Sequence, residues 1–298
     1  MTRIDFRTYP VQVQEFFDLE PGLREPVVDV FGFYCSTQPL ATYLAQLDEA
    51  GLDSAVMVAL DCTTAHKSSV ATNEQLADLM KLSERIIGFA SVDPSDAGAP
   101  QKLRTAVDDL GLSGLNLDPA LQQFEPADEG TAFPVFEAAQ DLGIPVSIAV
   151  GHNWAPIAPT SAFTPMSLEP AISAFPELDF VIPHVGWPYV QEALALAIKY
   201  PNVHLDTSVL YGGRPESSLR RVLADQVGLD VCEASLREKL VFASDYPRVD
   251  PKRFVRAMQM LEFRPVTEQQ ILGGNAERLL GKKAAKNVST TESKKGSL

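Results

Sequence analysis

Several features that would place a sequence in a known class are missing here. No run of about 18 apolar residues exists, so we expect no transmembrane helix. The N-terminus has no long apolar segment, so no secretory signal is expected. The three cysteines, Cys35, Cys62 and Cys232, are odd in number and form no Cys-x-x-Cys pair. This pattern argues against disulfides and structural zinc, and it predicts a cytoplasmic protein with free thiols.

Positive charge is also scarce. The 298 residues include 25 Lys and Arg against 39 Asp and Glu, which gives a formal net charge of −14. So acidic a chain is a poor partner for nucleic acid, and without an apolar span we expect no membrane partner. A basic pocket can still exist inside an acidic protein, so a small-molecule substrate is the expected partner. Homo-oligomerisation is left open.

Eight short β-like runs alternate with helix-like stretches along the chain. Several runs are continuously apolar, as is typical of strands covered on both faces. This alternation predicts an α/β fold of one domain, a (β/α)8 TIM barrel over residues 1–281. The rival, an open doubly wound sheet, is weaker because no Gly-x-Gly-x-x-Gly follows the first strand. The predicted strands are residues 3–7, 54–60, 86–92, 113–118, 145–150, 179–184, 202–207 and 240–244.

Two segments fall outside the alternation. Residues 8–37 form a long first βα loop that is rich in Phe and Tyr. A loop of this length is usually a lid, a binding element or an interface. Residues 282–298 are polar and lack aromatic residues, so we predict a disordered C-terminal tail.

Polar residues cluster at the predicted strand ends, where the active site of a barrel lies. His184 follows Phe-Val-Ile-Pro, and Asp245 follows Leu-Val-Phe-Ala-Ser. Arg7 and Tyr9 point to the same face, because strand side chains alternate with a period of two. The full set at or just past strand ends is Arg7, Tyr9, Asp118, His152, His184, Asp206 and Asp245.

Longer motifs accompany these residues. They are Gly-Phe-Ala-Ser-Val-Asp-Pro at 88–94, Pro-His-Val-Gly-Trp-Pro at 183–188, Ala-Ser-Asp-Tyr-Pro at 243–247 and Gly-Asn-Ala-Glu-Arg-Leu-Leu at 274–280. With them the chain resembles the amidohydrolase-related (family 2) barrels of the amidohydrolase superfamily over residues 1–281. That family includes decarboxylases of aminocarboxymuconate-semialdehyde, orsellinate and resorcylate type, and lactone hydrolases. The resemblance implies a TIM-barrel enzyme and leaves the substrate open.

The resemblance also implies a metal site, but here the sequence departs from the family. The family's metal is usually held by two histidines of the first strand, one of the fifth, and an aspartate of the eighth. The first three positions are Arg7, Tyr9 and Ala149, whereas Asp245 and the sixth-strand His184 match. We therefore predict a reduced or absent metal site and no firm cofactor. A single divalent metal such as zinc remains an alternative. Its candidate ligands are His184, Asp245, His152 and Asp5.

Three residues form the predicted catalytic set. Asp245 can act as a general base, or it can be a carboxylate paired structurally in the barrel mouth. His184 can act as an acid/base or orienting group, or be a satisfied core imidazole. Arg7 can grip a substrate carboxylate or an oxyanion, or simply neutralise Asp245. We predict Arg7 within direct or one-water reach of Asp245, because burying an unpaired carboxylate is very costly.

A second set is predicted to line the mouth and bind substrate. Asn116 and Asp118 stand where the family often has Lys and His. Arg248 can bind an anionic substrate at the rim, with a solvated arginine as the alternative. The predicted substrate-binding residues are Tyr9, Asn116, Asp118, His152, Trp154 and Arg248.

The predicted function is hydrolysis of a small carboxylate-bearing substrate of aromatic or lactone type. One alternative is a decarboxylase of the same family, a carbon–carbon lyase. Hydrolysis is favoured because decarboxylation in this family relies on a metal, and the metal ligands are depleted here. The other alternative is a non-catalytic barrel that binds a ligand or a partner subunit, which the missing ligands favour.

Overall fold

The chain folds into a closed barrel of parallel strands. This computed structural model describes residues 1–208 and 213–281, so the predicted tail at 282–298 lies outside the described residues. Within them, all eight predicted strands are present. They are β1 Ile4–Thr8, β2 Ser54–Val58, β3 Ile86–Phe89, β4 Leu115–Leu117, β5 Val146–Ile148, β6 Phe180–Ile182, β7 Val203–Asp206 and β8 Leu240–Val241.

Each strand pairs in parallel with its neighbours in sequence order. β1, β2 and β3 form one ladder, and β4 to β8 form another. A parallel bridge between Ala90 and Leu115 joins β3 to β4. The ring closes where the Phe6 N–H donates to the Phe242 carbonyl at 2.9 Å. The predicted pairing of the first and last strands is confirmed, and the open sheet is excluded.

The continuous apolar character of the strands follows from burial on both faces. Val56, Met57 and Val58 are successive residues of β2, and all three have no exposed surface. Aromatic rings also fill the core, as where Phe6 and Phe89 meet edge to face with centroids 5.3 Å apart. Such pairs add to the hydrophobic burial that drives folding.

Helices separate the strands. The helix Ala132–Leu142 begins after Thr131 and has Gly143 as its C-cap, with a φ of 68° in the left-handed conformation that glycine favours at this position. No helix in the described part of the chain has the length and apolarity needed to cross a bilayer. The longer outer helices are Leu40–Ala50, Asn73–Leu82, Ala99–Asp108, Ala132–Leu142, Val190–Lys199 and Pro251–Gln259. Shorter helices are Thr63–His66, Pro119–Gln122, Pro165–Leu168, Glu169–Ala174, Pro183–Gly186, Pro215–Leu219, Arg220–Val227, Leu229–Ala234, Pro265–Gln269 and Gln270–Gly274.

The long first loop contains more regular structure than its sequence suggested. It holds the short helices Pro10–Gln12, Gln14–Leu19, Pro21–Leu23 and Arg24–Asp29. Two of these begin with proline, which is favoured at the first helical position. After β2, the short antiparallel strands Leu60–Cys62 and Ser68–Ala71 form a second insertion.

Asp5 of β1 carries a buried carboxylate that makes stability depend on pH. It accepts hydrogen bonds from the Ser244 backbone N–H and hydroxyl. Burial raises the pKa of Asp5 to about 7, and the bonds from Ser244 oppose this only in part. Between pH ~4 and ~7 the folded state therefore holds a proton that the unfolded chain has released. The free energy of unfolding must then fall as pH rises through this window.

We expect Asp5→Asn to flatten this dependence. The neutral amide keeps an acceptor for Ser244 but has no proton to lose. As pH rises from ~4 to ~7, the free energy of unfolding should fall further in the wild-type protein than in the variant, by on the order of a few kcal/mol. Urea unfolding at several pH values measures the difference. Other buried acids contribute equally to both proteins, so equal slopes would show that Asp5 does not titrate in this range.

Candidate active site

Arg7 reaches from β1 into the barrel mouth and is held on several sides. Its Nη1 donates to Asn116 Oδ1 at 2.8 Å and to Ser147 Oγ at 3.0 Å. Its Nη2 donates to the Tyr9 hydroxyl at 2.8 Å. A fourth contact is with Asp245, just past β8. The Arg7 side chain is only 1% exposed. Residues of β1, β4, β5 and the end of β8 therefore hold a permanent positive charge inside the barrel.

Asp245 is a buried carboxylate between two arginines. Its Oδ1 lies 3.6 Å from Arg7 Nε, and its Oδ2 lies 3.4 Å from Arg248 Nε. The predicted proximity of Arg7 and Asp245 is therefore present. Burial raises the pKa of Asp245 to about 6, although both arginines act in the opposite direction. A carboxyl group that titrates close to neutral pH suits proton transfer.

The backbone at Asp245 and His184 adopts an uncommon conformation. The φ angle is 59° at Asp245, 60° at His184 and 50° at the next residue, Val185. Residues other than glycine are rare in this left-handed region, and for a β-branched valine it is a clear outlier. Such strain concentrates at functional sites. Here it affects both candidate acid–base residues.

His184 lies on the turn Pro183–Gly186 that follows β6. Its Nδ1 is 2.7 Å from Ser208 Oγ, and its backbone N–H donates to Asp206 Oδ1 at 3.1 Å. Burial lowers the pKa of His184 well below its usual value, and the positive charges of Arg7 and Arg248 lower it further. The imidazole is therefore neutral near pH 7.

Four residues, Arg7, Asp206, Asp245 and Arg248, form what we term the charged cluster. Burial alone would lower the pKa of Arg7, but Tyr9, Asp206 and Asp245 outweigh it and raise that pKa. Several buried atoms of the cluster have no hydrogen-bond partner within the described ranges. They are Arg7 Nε, Arg248 Nε and Nη2, Asp206 Oδ2 and Asp245 Oδ1. Native proteins leave few such atoms unpaired, so five in one cluster point to a ligand site.

The first loop covers this mouth with aromatic side chains. Phe33 packs on Tyr9 and Trp154, with ring centroids 4.9 Å and 5.3 Å away. Trp154 Nε1 donates to the Phe31 carbonyl at 2.6 Å, which ties the loop after β5 to the first loop. The Arg248 guanidinium lies over the Phe33 and Trp154 rings at 4.9 Å and 5.1 Å. These contacts support the lid interpretation of the first loop.

We expect Phe33→Ala to loosen this cover. Truncating a buried phenylalanine typically costs about 3–5 kcal/mol of stability. Water entry should also reduce the burial effect on Asp245, so its pKa should fall toward the ordinary value for aspartate. Denaturant unfolding measures the first effect, and the acidic limb of a pH–activity profile measures the second. The exposed Tyr34→Ala, one position along the same loop, is the matched control. Unchanged stability in Phe33→Ala would contradict the packing argument.

The other predicted residues lie at different distances from the charged cluster. Asp118 is buried and caps the helix Pro119–Gln122, and its Oδ2 accepts from Asn153 Nδ2 at 2.7 Å. Burial raises its pKa to about 6. His152 is half-buried, with Nδ1 3.3 Å from Thr160 Oγ1 and its ring 5.2 Å from that of Trp187. These bonds favour a structural role for Asp118 and place His152 in the wall of the site.

The residues around Arg7 do not fit a divalent metal. A metal needs an electron pair from each ligand, and the guanidinium offers only donors. Its neighbours Tyr9, Asn116 and Ser147 are neutral oxygen groups already bonded to it. Both oxygens of Asp5 accept from Ser244 instead. Within residues 1–208 and 213–281, no three His, Cys, Asp or Glu side chains are grouped to hold a metal.

Sequence reasoning missed two residues of this site, Ser147 and Ser208. Ser147 contacts Arg7, but the comparison with the family's metal ligands considered only Ala149 on this strand. Residues 147 and 149 share a strand face, so the alternation of side chains along the strand would have identified Ser147 as well. Ser208 gave no comparable signal, and Phe33 was expected only as one of the aromatic residues of the first loop. Their roles depend on how the turn after β7 and the first loop fold over the mouth.

A cavity of about 280 Å³ lies beside the short antiparallel strands. Its polar side chains are engaged with one another. Asp61 Oδ1 accepts from Thr63 and Ser69, and the Asn73 amide bonds both backbone groups of Ser91. Because these polar groups are hydrogen-bonded to one another, we regard this cavity as a weaker ligand site than the barrel mouth.

The barrel and its site agree with sequence comparison. The Amidohydrolase family model matches residues 4–282, so the chain belongs to this family. A curated relative, Protein fluG of Emericella nidulans, is 37% identical over 76 residues, which are 26% of this chain and 7% of that protein. The chain thus matches only a small part of that longer relative.

Solved structures share the fold at low sequence identity. An uncharacterised TIM-barrel protein from Bordetella bronchiseptica has a TM-score of 0.73 and 22% identity, covering 95% of this chain and all of that one. The 5-carboxyvanillate decarboxylase of Sphingomonas paucimobilis has a TM-score of 0.64 and 18% identity, covering 94% and 98%. A probable 2-pyrone-4,6-dicarboxylic acid hydrolase of Acinetobacter baumannii, with citric acid bound, has a TM-score of 0.64 and 16% identity, covering 94% and 100%. A dihydroxybenzoic acid decarboxylase from Polaromonas sp. JS666 contains manganese; its TM-score is 0.64 and its identity 17%, covering 94% and 96%.

Proposed function

We propose that this chain is a hydrolase acting on a small carboxylate-bearing substrate of lactone or aromatic ester type. The charged cluster carries the proposal, because it combines arginine N–H groups that make no hydrogen bond with a carboxyl group whose pKa is about 6, beneath the aromatic cover of the barrel mouth. The fold neighbours named for 5-carboxyvanillate and a pyrone dicarboxylic acid support it, since both compounds are small carboxylates.

The two arginines are the proposed anion-binding groups. Arg7 Nε and Arg248 Nε and Nη2 are buried donors that make no hydrogen bond to a described residue. The two Nε atoms face Asp245 only at the ion-pair distances of 3.6 Å and 3.4 Å. Arginine presents a planar fork that matches a carboxylate, and such charge-assisted bonds are the stronger ones. Because Arg248 also lies over Phe33 and Trp154, it can hold a flat substrate against an aromatic wall.

Asp245 is the proposed general base. Its carboxylate takes a proton from water while the water oxygen bonds to the substrate carbonyl carbon. The resulting oxyanion is stabilised by the guanidinium of Arg7. Collapse breaks the bond from that carbon to the leaving oxygen, which receives the proton from Asp245. The products are an acid and an alcohol, and the carboxylate is regenerated for the next turnover.

In this mechanism Arg7 supplies the fixed positive charge at the reaction centre. A guanidinium cannot lower the pKa of a bound water as a metal can, so activation of water rests on Asp245. His184, neutral at pH 7, orients the water or the leaving group. The same arginines could also hold a carboxylate for decarboxylation, and the assay must therefore distinguish the two reactions.

A panel experiment tests the proposal. Thermal stability of the purified protein is measured with lactone carboxylates, hydroxybenzoates and matched neutral amides or esters. Binding raises apparent stability by mass action, so carboxylates should stabilise and neutral analogues should not. Compounds that bind are then assayed for acid release and for carbon dioxide. Acid release supports hydrolysis. Carbon dioxide release would overturn the hydrolase proposal in favour of a decarboxylase, and binding without turnover would favour the non-catalytic barrel.

A further inference from the structure

Behind His184 lies a buried chain of hydrogen bonds that the proposed mechanism does not yet use. Ser208 Oγ is 2.7 Å from His184 Nδ1 and also makes a short hydrogen bond to Asp206 Oδ1. The Ser208 backbone N–H donates to the same Asp206 oxygen at 2.9 Å. The three side chains are at most 4% exposed, so solvent does not replace these contacts.

The number of available protons fixes the direction of this chain. An ionised carboxylate only accepts, and a serine hydroxyl has one proton to donate. If Ser208 donates that proton to Asp206, its oxygen faces His184 Nδ1 as an acceptor. Nδ1 must then carry the imidazole proton. A neutral imidazole with its proton on Nδ1 has a lone pair on Nε2.

We propose that Ser208 and Asp206 are positioning residues that hold His184 in the Nδ1-protonated tautomer. This deepens the proposed function and rests on it, because it makes Nε2 an acceptor for the attacking water or the leaving hydroxyl. Acid–base histidines commonly have their tautomer set by the bond at the other nitrogen. Here a serine stands between the imidazole and the carboxylate.

The charges around His184 support a neutral ring. Burial has the largest effect in lowering the pKa of His184, and Arg7 from β1, Arg248 after β8 and His152 after β5 lower it further. A hydrogen bond to the Ser208 backbone acts in the opposite direction without outweighing them. Asp206, the last residue of β7, is the acidic group of the set. Its Oδ1 is occupied by donors, whereas Oδ2 has no hydrogen-bond partner within the described residues. Burial raises the pKa of Asp206, and attraction to Arg7 together with the hydrogen bonds from Ser208 and the His184 N–H opposes that rise. Because Oδ1 already accepts from two backbone N–H groups, it is also the acceptor for the Ser208 hydroxyl.

Nitrogen-15 NMR of histidine side chains tests the tautomer without any substrate. The chain has four histidines, and the spectrum of His184→Gln assigns the resonance of interest. In the wild-type protein we expect the His184 proton on Nδ1. In Ser208→Ala it should redistribute toward Nε2, whereas Ser208→Thr, which keeps the hydroxyl, should restore the wild-type spectrum. A wild-type His184 protonated on Nε2, or an unchanged tautomer in Ser208→Ala, would overturn the proposal.

Kinetics with a substrate found in the panel give a second readout. Losing orientation of a catalytic group typically costs about 10- to 100-fold, so kcat of Ser208→Ala should fall by this amount with little change in KM. Ser208→Thr should recover most of the loss. If NMR shows the proposed tautomer but kcat of Ser208→Ala is unchanged, then His184 does not act on the substrate. The tautomer assignment would then stand, and the catalytic part of the proposal would be wrong. If no substrate is found, the NMR result still stands or falls by itself.

Discussion

Arg7→Met should reduce kcat/KM by about 100- to 1,000-fold, the usual cost of losing one donor to a developing oxyanion. Two physical changes contribute. The substrate loses a buried cationic partner, and Asp245 keeps only Arg248 as a neighbouring positive charge. The pKa of Asp245 should therefore rise above about 6, which moves the acidic limb of the kcat/KM profile to higher pH. Steady-state kinetics between pH 5 and 8, a range of roughly one to two units around that limb, give both numbers.

Two control variants make this result specific. Arg104→Met removes an exposed arginine paired with Asp141 on the outer helices, and should leave kinetics unchanged. Arg7→Lys keeps the charge near Asp245 but loses the planar fork, so it should restore the pH profile better than the KM. Circular dichroism confirms that the variants are folded. An Arg7→Met protein with normal turnover and an unshifted limb would show that Arg7 has only a structural role.

Asp245→Asn should abolish turnover while preserving ligand binding. A positioned general base contributes about 100- to 10,000-fold to a rate, and the amide cannot accept the proton from water. Removing the negative charge leaves Arg7 and Arg248 without their shared carboxylate. A carboxylate ligand should then bind as tightly as in the wild-type protein, or more tightly. Thermal shift or calorimetry with a panel carboxylate measures binding, and single-turnover assays measure the rate.

The exposed Asp141→Asn serves as the matched control for that variant, since it removes the same charge from the outer surface. It should match the wild-type protein in both measurements. Loss of carboxylate binding in Asp245→Asn would mean that Asp245 holds the arginines in place rather than acting on water. Retained turnover in Asp245→Asn would mean that another group acts as the general base, and Asp206 would be the first residue to test.

The barrel was predictable because its strands carry a local signal. Runs such as Ala55 to Leu60 are apolar at every position, and burial on both faces is the reason. The first loop was less predictable. Its short helices form because Phe16, Phe17 and Phe31 are buried in the folded chain, which a local pattern does not reveal. Tertiary contacts here outweigh local preference.

The candidate site was predictable only where barrel geometry determines it. Closure makes β1 and β8 neighbours, and a buried carboxylate needs a positive partner, so the pairing of Arg7 with Asp245 followed. Ser208 and Phe33 depend on turns and loops that fold back over the mouth. Their positions are set by contacts between residues far apart in sequence, such as Ser208 with His184. The substrate itself leaves no local pattern.

Turnover by metal-stripped protein tests the central claim most directly, namely that Arg7 and Asp245 carry the reaction in place of a metal centre. The protein is dialysed against a chelator, its metal content is measured, and kcat/KM is determined with the best panel substrate. The proposed mechanism predicts an unchanged kcat/KM in the stripped protein, with no gain when zinc or manganese is added. Loss of activity on chelation, restored by one equivalent of either metal, would contradict it.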